Sequence, residues 1–191
     1  ATASDAVGNP SADSSVFNIV VDATAPNTPA ITSILDNVGT LTGPVTSSVP
    51  TNDNTPELHG TAEANAVVRI YDGATPIGQV TADGSGNWTF TTGALSDGQH
   101  NFSVTATDAV GNTSAASTIS AIVVDTVAPL APGALAVVNV GTLVTGTAEA
   151  GSTVTITTSG GTVLGTATVD GSGHFSVTLS PAQTNGETLT A

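Results

Sequence analysis

The sequence predicts an all-β chain of tandem antiparallel β-sandwiches, and three observations predict it. Segments recur at one long spacing: TASDAVGN at 2–9 returns as TATDAVGN at 105–112, and VVDATAP at 20–26 returns as VVDTVAP at 123–129, both 103 residues further on. A period far above the roughly 20–50 residues of a solenoid unit makes each copy a whole domain with its own core. Apolar residues alternate at period two, so that Val68 and Ile70 share one face and Arg69 and Tyr71 the other, as in a half-buried strand. Helical periodicity is absent. Turn dipeptides punctuate the chain at Asp72-Gly73, Asp83-Gly84, Asp97-Gly98 and Gly111-Asn112, with the spacing of an all-β sandwich.

The elements of the complete copy follow in order. Strand A is expected near 29–35, B at 56–62 leading into GTAEA, C at 66–72 ending on Asp72-Gly73, and D at 76–82 ending on the DGSG turn. Strand E follows at 87–92, F at 99–108 ending on the Asp108 turn, and G at 116–125. Seven antiparallel strands in about 100 residues make an immunoglobulin-like sandwich, and a chain without cysteine lacks only the disulfide-pinned variety. Residues 1–25 read as the C-terminal F–G hairpin of a first repeat, 26–128 as a complete repeat, and 129–191 as a partial third repeat with strands A–E and the start of F. GTAEA at 60–64 returns at 146–150, only 86 residues on, so about 17 residues of the middle copy, within 36–56, form an A–B loop insertion. Lengthening a surface loop costs little closure entropy. Paired prolines, Pro26 with Pro29 and Pro129 with Pro132, make the joints extended and semi-rigid.

Fifteen acidic residues face one cation, Arg69, for a net charge of −14. That balance excludes a nucleic-acid or anionic-membrane binder and makes cations the natural partners. No apolar run is long enough for membrane insertion and no signal segment opens the chain, which reads as a window of a longer protein. No enzyme is expected: neither a nucleophile elbow nor a zinc motif is present, and carboxylates fall on loops at domain ends. His59, His100 and His174 lack ligand spacing and are expected at surface or turn positions. Trp88 and Phe90, two apart on strand E, point the same way into the core.

GTAEA, DGSGNW, TATDAVGN, VVDTVAP and SPAQTNGETLTA, in this order and together, resemble the bacterial Ig-like repeats of giant surface adhesins of the biofilm-associated-protein and SiiE-like type. The resemblance covers essentially the whole chain; the A–B insertion departs from the shorter repeat. It implies a type I secreted, extracellular rod on a bacterial cell surface, with calcium ions at the joints between domains.

Strand order places the B–C, D–E and F–G loops at one pole of the sandwich. For the middle copy this gathers Glu63, Asp83, Asp108 and Asn112 at the end that meets Asp22. Crowded hard oxygen donors repel one another without a cation, and Ca²⁺ takes six to eight such oxygens in irregular geometry. The corresponding second joint would gather Asp125, Glu149 and Asp170, completed by the F–G motif residues Asp5 and Asn9 of another copy. The bland reading is that these acids form turns, and for Asp83 and Asp170 the DGSG sequence already accounts for the Asp. Asn52-Asp53-Asn54 is calcium-like in composition but lacks the Gly and Glu of an EF-hand loop; with Asp72 and Asp97 it forms an acidic opposite pole that either holds a second ion or is simply solvated.

The sequence therefore points to calcium-stiffened spacer repeats of a cell-surface adhesin serving cell adhesion and biofilm formation. Their partners are neighbouring repeats of the same protein, with head-to-tail self-association between hairpin 1–25 and the open third repeat. The alternatives are a glycan- or receptor-binding module, which needs an exposed aromatic platform, and a self-associating matrix filament built by strand edges.

Overall fold

The computed structural model describes residues 1–39, 42–139, 141–183 and 188–191. Every regular element among them is a β-strand, in two compact units, Ala1–Thr126 and Val127–Ala191.

In the first unit the strands are β1 (Ala30–Asp36), β2 (Gly43–Pro44), β3 (Glu57–Thr61), β4 (Val67–Asp72), β5 (Thr75–Thr81), β6 (Asn87–Thr91), β7 (Gly98–Thr107) and β8 (Ser120–Val124). They form two antiparallel sheets, β2-β1-β3-β6 and β5-β4-β7-β8. Apart from β2 these are the expected strands A to G, with most ends within one or two residues. Strand G starts late, at Ser120, and the reason is local. Ser114 and Ser117 donate their N–H groups to the Ala106 and Val104 carbonyls at 2.9 and 2.8 Å, and their hydroxyls accept the Ala106 and Val104 N–H groups. Serine oxygens thus satisfy β7 where a ladder would otherwise run.

Alternation decides the core. Val68 and Ile70 of β4, Phe102 and Val104 of β7, and Ile122 and Val124 of β8 face Ile34, Leu58 and Trp88 of the other sheet. Each such side chain contributes about 1.5–3 kcal/mol on full burial.

Described residues of the A–B insertion pair with both sheets. β2 extends the sheet beside β1, and Thr46 bridges Val49. Thr51 then pairs in parallel with Val124, donating its N–H to the Val123 carbonyl and accepting the Asp125 N–H, both at 2.9 Å. The insertion so covers part of the open edge of β8, which limits edge-to-edge pairing. Positions 40 and 41 of the insertion lie outside the described residues.

Residues 1–14 repeat the hairpin of the F–G region. Ser11 and Ser14 bond Ala3 and Ala1 as Ser114 and Ser117 bond Ala106 and Val104, and Ser4 bridges Pro10. Residues 15–22 carry no strand and leave Val16, Phe17, Ile19, Val20 and Val21 exposed.

The second unit consists of β9 (Gly133–Val138), β10 (Leu143–Thr147), β11 (Thr153–Thr158), β12 (Val163–Thr168), β13 (His174–Thr178) and β14 (Leu189–Thr190). Two three-stranded sheets, β13-β10-β9 and β12-β11-β14, enclose Val144, Val154, Ile156, Leu164, Phe175 and Val177. Residues 184–187, ahead of the start of strand F, lie outside the described residues.

Candidate functional site

The B–C and F–G loops of the first unit meet the segment that carries Asp22. Asp22, Glu63 and Asp108 line one cleft of about 270 Å³ together with Ala64–Ala66, Ala109 and Val110. Each acid reaches it by a local device. Glu63 opens the β3–β4 turn, which closes with the Ala66 N–H on the Glu63 carbonyl at 3.1 Å and holds Asn65 at a positive φ of 64°, a conformation asparagine tolerates better than most residues. Asp108 caps its own loop: its Oδ1 accepts the N–H groups of Val110, Gly111 and Asn112 at 2.8–2.9 Å, and its Oδ2 accepts Asn112 Nδ2 at 2.8 Å. Asn112 Nδ2 also donates to the Asp22 carbonyl at 3.2 Å, which ties the loop to the preceding segment. Asp22 Oδ1 accepts the Thr24 N–H.

Electrostatics follow from these donors. Some desolvation opposes ionisation of Asp108, but the Asn112 amide and the loop N–H groups outweigh it and hold the carboxyl below its ordinary 3.8. Asp5 is lowered in the same way, first by the Asn9 side chain, in the duplicate of this loop. Asp83 and Asp170 serve their DGSG turns, accepting the N–H groups of Ser85 and Asn87, and of Ser172 and His174, at 2.8–2.9 Å. Both are lowered, chiefly by the bonds from Asn87 and His174. Asp83 does not line the cleft, although its backbone carbonyl accepts the Asn65 N–H beside it. Asp125 lies at the end of the first unit, whereas Glu149 and Asp170 belong to the second, where Ser152 bonds the Glu149 carbonyl.

Three hard carboxylates around one cleft are the donor chemistry of Ca²⁺. Among the described residues, however, no three His, Cys, Asp or Glu side chains close into a group able to hold a metal ion.

At the opposite pole Asp97 and Asn52 are exposed, as a solvated pole requires, and Asp53 is the departure. Asp53 is fully buried, its carboxylate accepting the Asn37 and Thr55 N–H groups and the Thr55 hydroxyl. Asp36, also buried, accepts the Thr51 hydroxyl at 2.5 Å and the Val38 N–H at 2.8 Å. Asp97 Oδ1 accepts both the N–H and the hydroxyl of Thr126 at 2.9 and 2.8 Å. Asp72 and His100 pair across 2.6 Å, and His100 is buried, against the expectation of a surface or turn position. The overlooked signal is parity, since His100 shares the inward phase of Phe102 and Val104 on one strand. Trp88 is only 3% exposed and so offers no sugar-stacking platform.

A bacterial Ig-like domain family matches residues 28–126, just over half of the chain, and a bacterial Ig domain family matches residues 128–191. The chain belongs to the bacterial Ig-like domain family. Both matched bacterial Ig-like families are of non-catalytic modules. Exoglucanase B of Cellulomonas fimi is 33% identical over 148 residues, which is 71% of this chain and 12% of that protein, so the chain spans about an eighth of this relative. Among solved structures, the BSP domain of a biofilm associated protein is 20% identical with a TM-score of 0.30, over 73% of this chain and 24% of that one. Fibronectin(III)-like modules of Clostridium thermocellum CbhA are 16% identical with a TM-score of 0.33, over 75% and 77% of the two chains. Scores this low do not bear on what the bacterial Ig-like modules do.

Proposed function

We propose that these bacterial Ig-like modules are structural spacers of an extracellular, cell-surface adhesin serving adhesion and biofilm formation, and that calcium stiffens the joint ahead of the first complete module. The observation that carries the calcium reading is the cleft that Asp22, Glu63 and Asp108, from three separate segments, line together. Modules rather than a catalytic apparatus, an acidic surface and a sequence resemblance to adhesin repeats support the spacer role. Neighbouring repeats are the partners: Val16, Phe17, Ile19, Val20 and Val21 are exposed, and 103 residues further on Ile122 and Val124 are core residues, so an adjoining repeat would cover this strand-like segment.

Calcium titration of the full chain by calorimetry tests this. Extracellular calcium modules bind with Kd of roughly 10⁻⁴–10⁻³ M, and affinity in that range should accompany a higher Tm for the first unit. Asp22→Ala and Asp108→Ala should weaken binding, whereas Asp97→Ala should not. Equal loss in all three, or a Tm indifferent to both calcium and chelator, would sink the calcium reading and leave a metal-free spacer.

A further inference from the structure

We propose that protonated His100 is a latch on the exit of the first unit, holding the β6–β7 loop in the position from which Asp97 grips Thr126. The chain of contacts is short. His100 Nδ1 lies 2.6 Å from Asp72 Oδ2 and Nε2 lies 2.8 Å from the Ser96 carbonyl. Carboxylate and carbonyl oxygens only accept, so both bonds form together only when both ring nitrogens carry a proton, that is, in the imidazolium. Asp72 is held in place from its other side, where Oδ1 accepts the Asn101 N–H at 2.9 Å. Phe102 stacks against the ring at a centroid distance of 6.2 Å. The residue after Ser96 is Asp97, whose Oδ1 takes both Thr126 donors, and Thr126 is the last residue of the first unit.

The charged neighbours do not blur the assignment. The β4–β5 hairpin supplies Asp72, whose carboxylate is bonded to the ring. The β6–β7 loop supplies Asp97, committed to Thr126, and the insertion supplies Asp53, committed to Asn37 and Thr55. From β8 the register partner is the apolar Ile122. Burial works against the charged ring, but the Asp72 bond, the Ser96 carbonyl and the Asp72 charge overcome it and raise its pKa above the ordinary 6.5. With the folded value above the unfolded one, the latch is fully engaged below about pH 6.5 and is lost as pH rises through the raised value. A neutral ring keeps one partner and must release the other. The latch adds a pH-dependent control at Thr126, the last residue of the first unit of the proposed spacer and away from the Asp22 cleft, so its test is independent of calcium.

Heteronuclear NMR of the full chain from pH 5 to pH 9, with chelator present throughout, decides the matter. The His100 ring should titrate with a midpoint above 6.5, and the Thr126 amide should shift with the same midpoint. Asp97→Ala, which removes the acceptor, should abolish the Thr126 response while the His100 midpoint stays, and His100→Gln should make Thr126 insensitive to pH. A Thr126 amide that ignores the His100 midpoint, or a His100 midpoint at or below 6.5, overturns the latch. Because the first reading uses the unaltered protein, the proposal remains falsifiable if a variant does not fold.

Discussion

Trp88 packs over Gly60, its partner in the β3–β6 register, so closely that a Cβ at Gly60 would overlap the indole and the Ala30 carbonyl. The second unit repeats the relationship with Phe175 over Gly146, where a Cβ would fall 2.7 Å from the ring and 2.8 Å from the Gly133 carbonyl. The glycine of GTAEA and the aromatic residue after DGSG are therefore two halves of one packing unit.

Gly60→Ala should destabilise the first unit by about 1–3 kcal/mol, because both obstacles are fixed, one backbone and one buried ring. Gly84→Ala, with no atom within 4 Å of the added carbon, should be close to neutral. Urea unfolding of both variants checks the contrast; equal losses would show that the packing over Gly60 is not what matters.

Phe102→Ala should cost the first unit about 3–5 kcal/mol by leaving a cavity at the centre of its core. The second unit has its own core around Ile156 and Val177, so its unfolding transition should stay where it was. Differential scanning calorimetry separates the two transitions, and a shared shift would mean that the units unfold together.

Thr51→Val removes the hydroxyl that serves the buried Asp36 carboxylate while keeping the backbone pairing with β8. The expected loss is about 1–3 kcal/mol, the cost of leaving a buried acceptor short of a donor. Thr51→Ser should restore most of it. Chemical denaturation of the pair is the check.

Acid should weaken the fold through its loop-capping aspartates. Asp5, Asp83, Asp108 and Asp170 are all lowered below 3.8, so the stability they contribute is complete above that value and disappears as pH falls through their folded pKa values. Melting curves between about pH 5 and pH 2 should show this acid limb, and Asp83→Asn should flatten it for the first unit. An unchanged slope would remove Asp83 from the account.

The strands were legible because their signals are local: alternation sets the faces of β4 and β7, and Asp-Gly pairs end β4 and β5. The core role of Trp88 was legible on the same ground. Asp53 was not, since its burial depends on the Asn37 N–H sixteen residues away, a contact that no spacing within the insertion announces. The candidate cleft lies between. Strand order alone brings the loops of Glu63 and Asp108 to one pole, but it does not announce that Asp108 already satisfies four donors of its own loop.

The closure of Thr51 onto β8 bears on how a chain of look-alike modules folds at all. Neighbouring copies with matching registers invite strand exchange, a common failure of repeat proteins. By register, Ile34 opposite Leu58 corresponds to Val137 opposite Val144, so β9 installed in the place of β1 would present Asn139 where Asp36 receives the Thr51 hydroxyl. An exchanged strand would thus fit the apolar core and fail at the polar knot beside it. The insertion thus gives β1 a polar match that β9 lacks, a mark of identity written outside the apolar core.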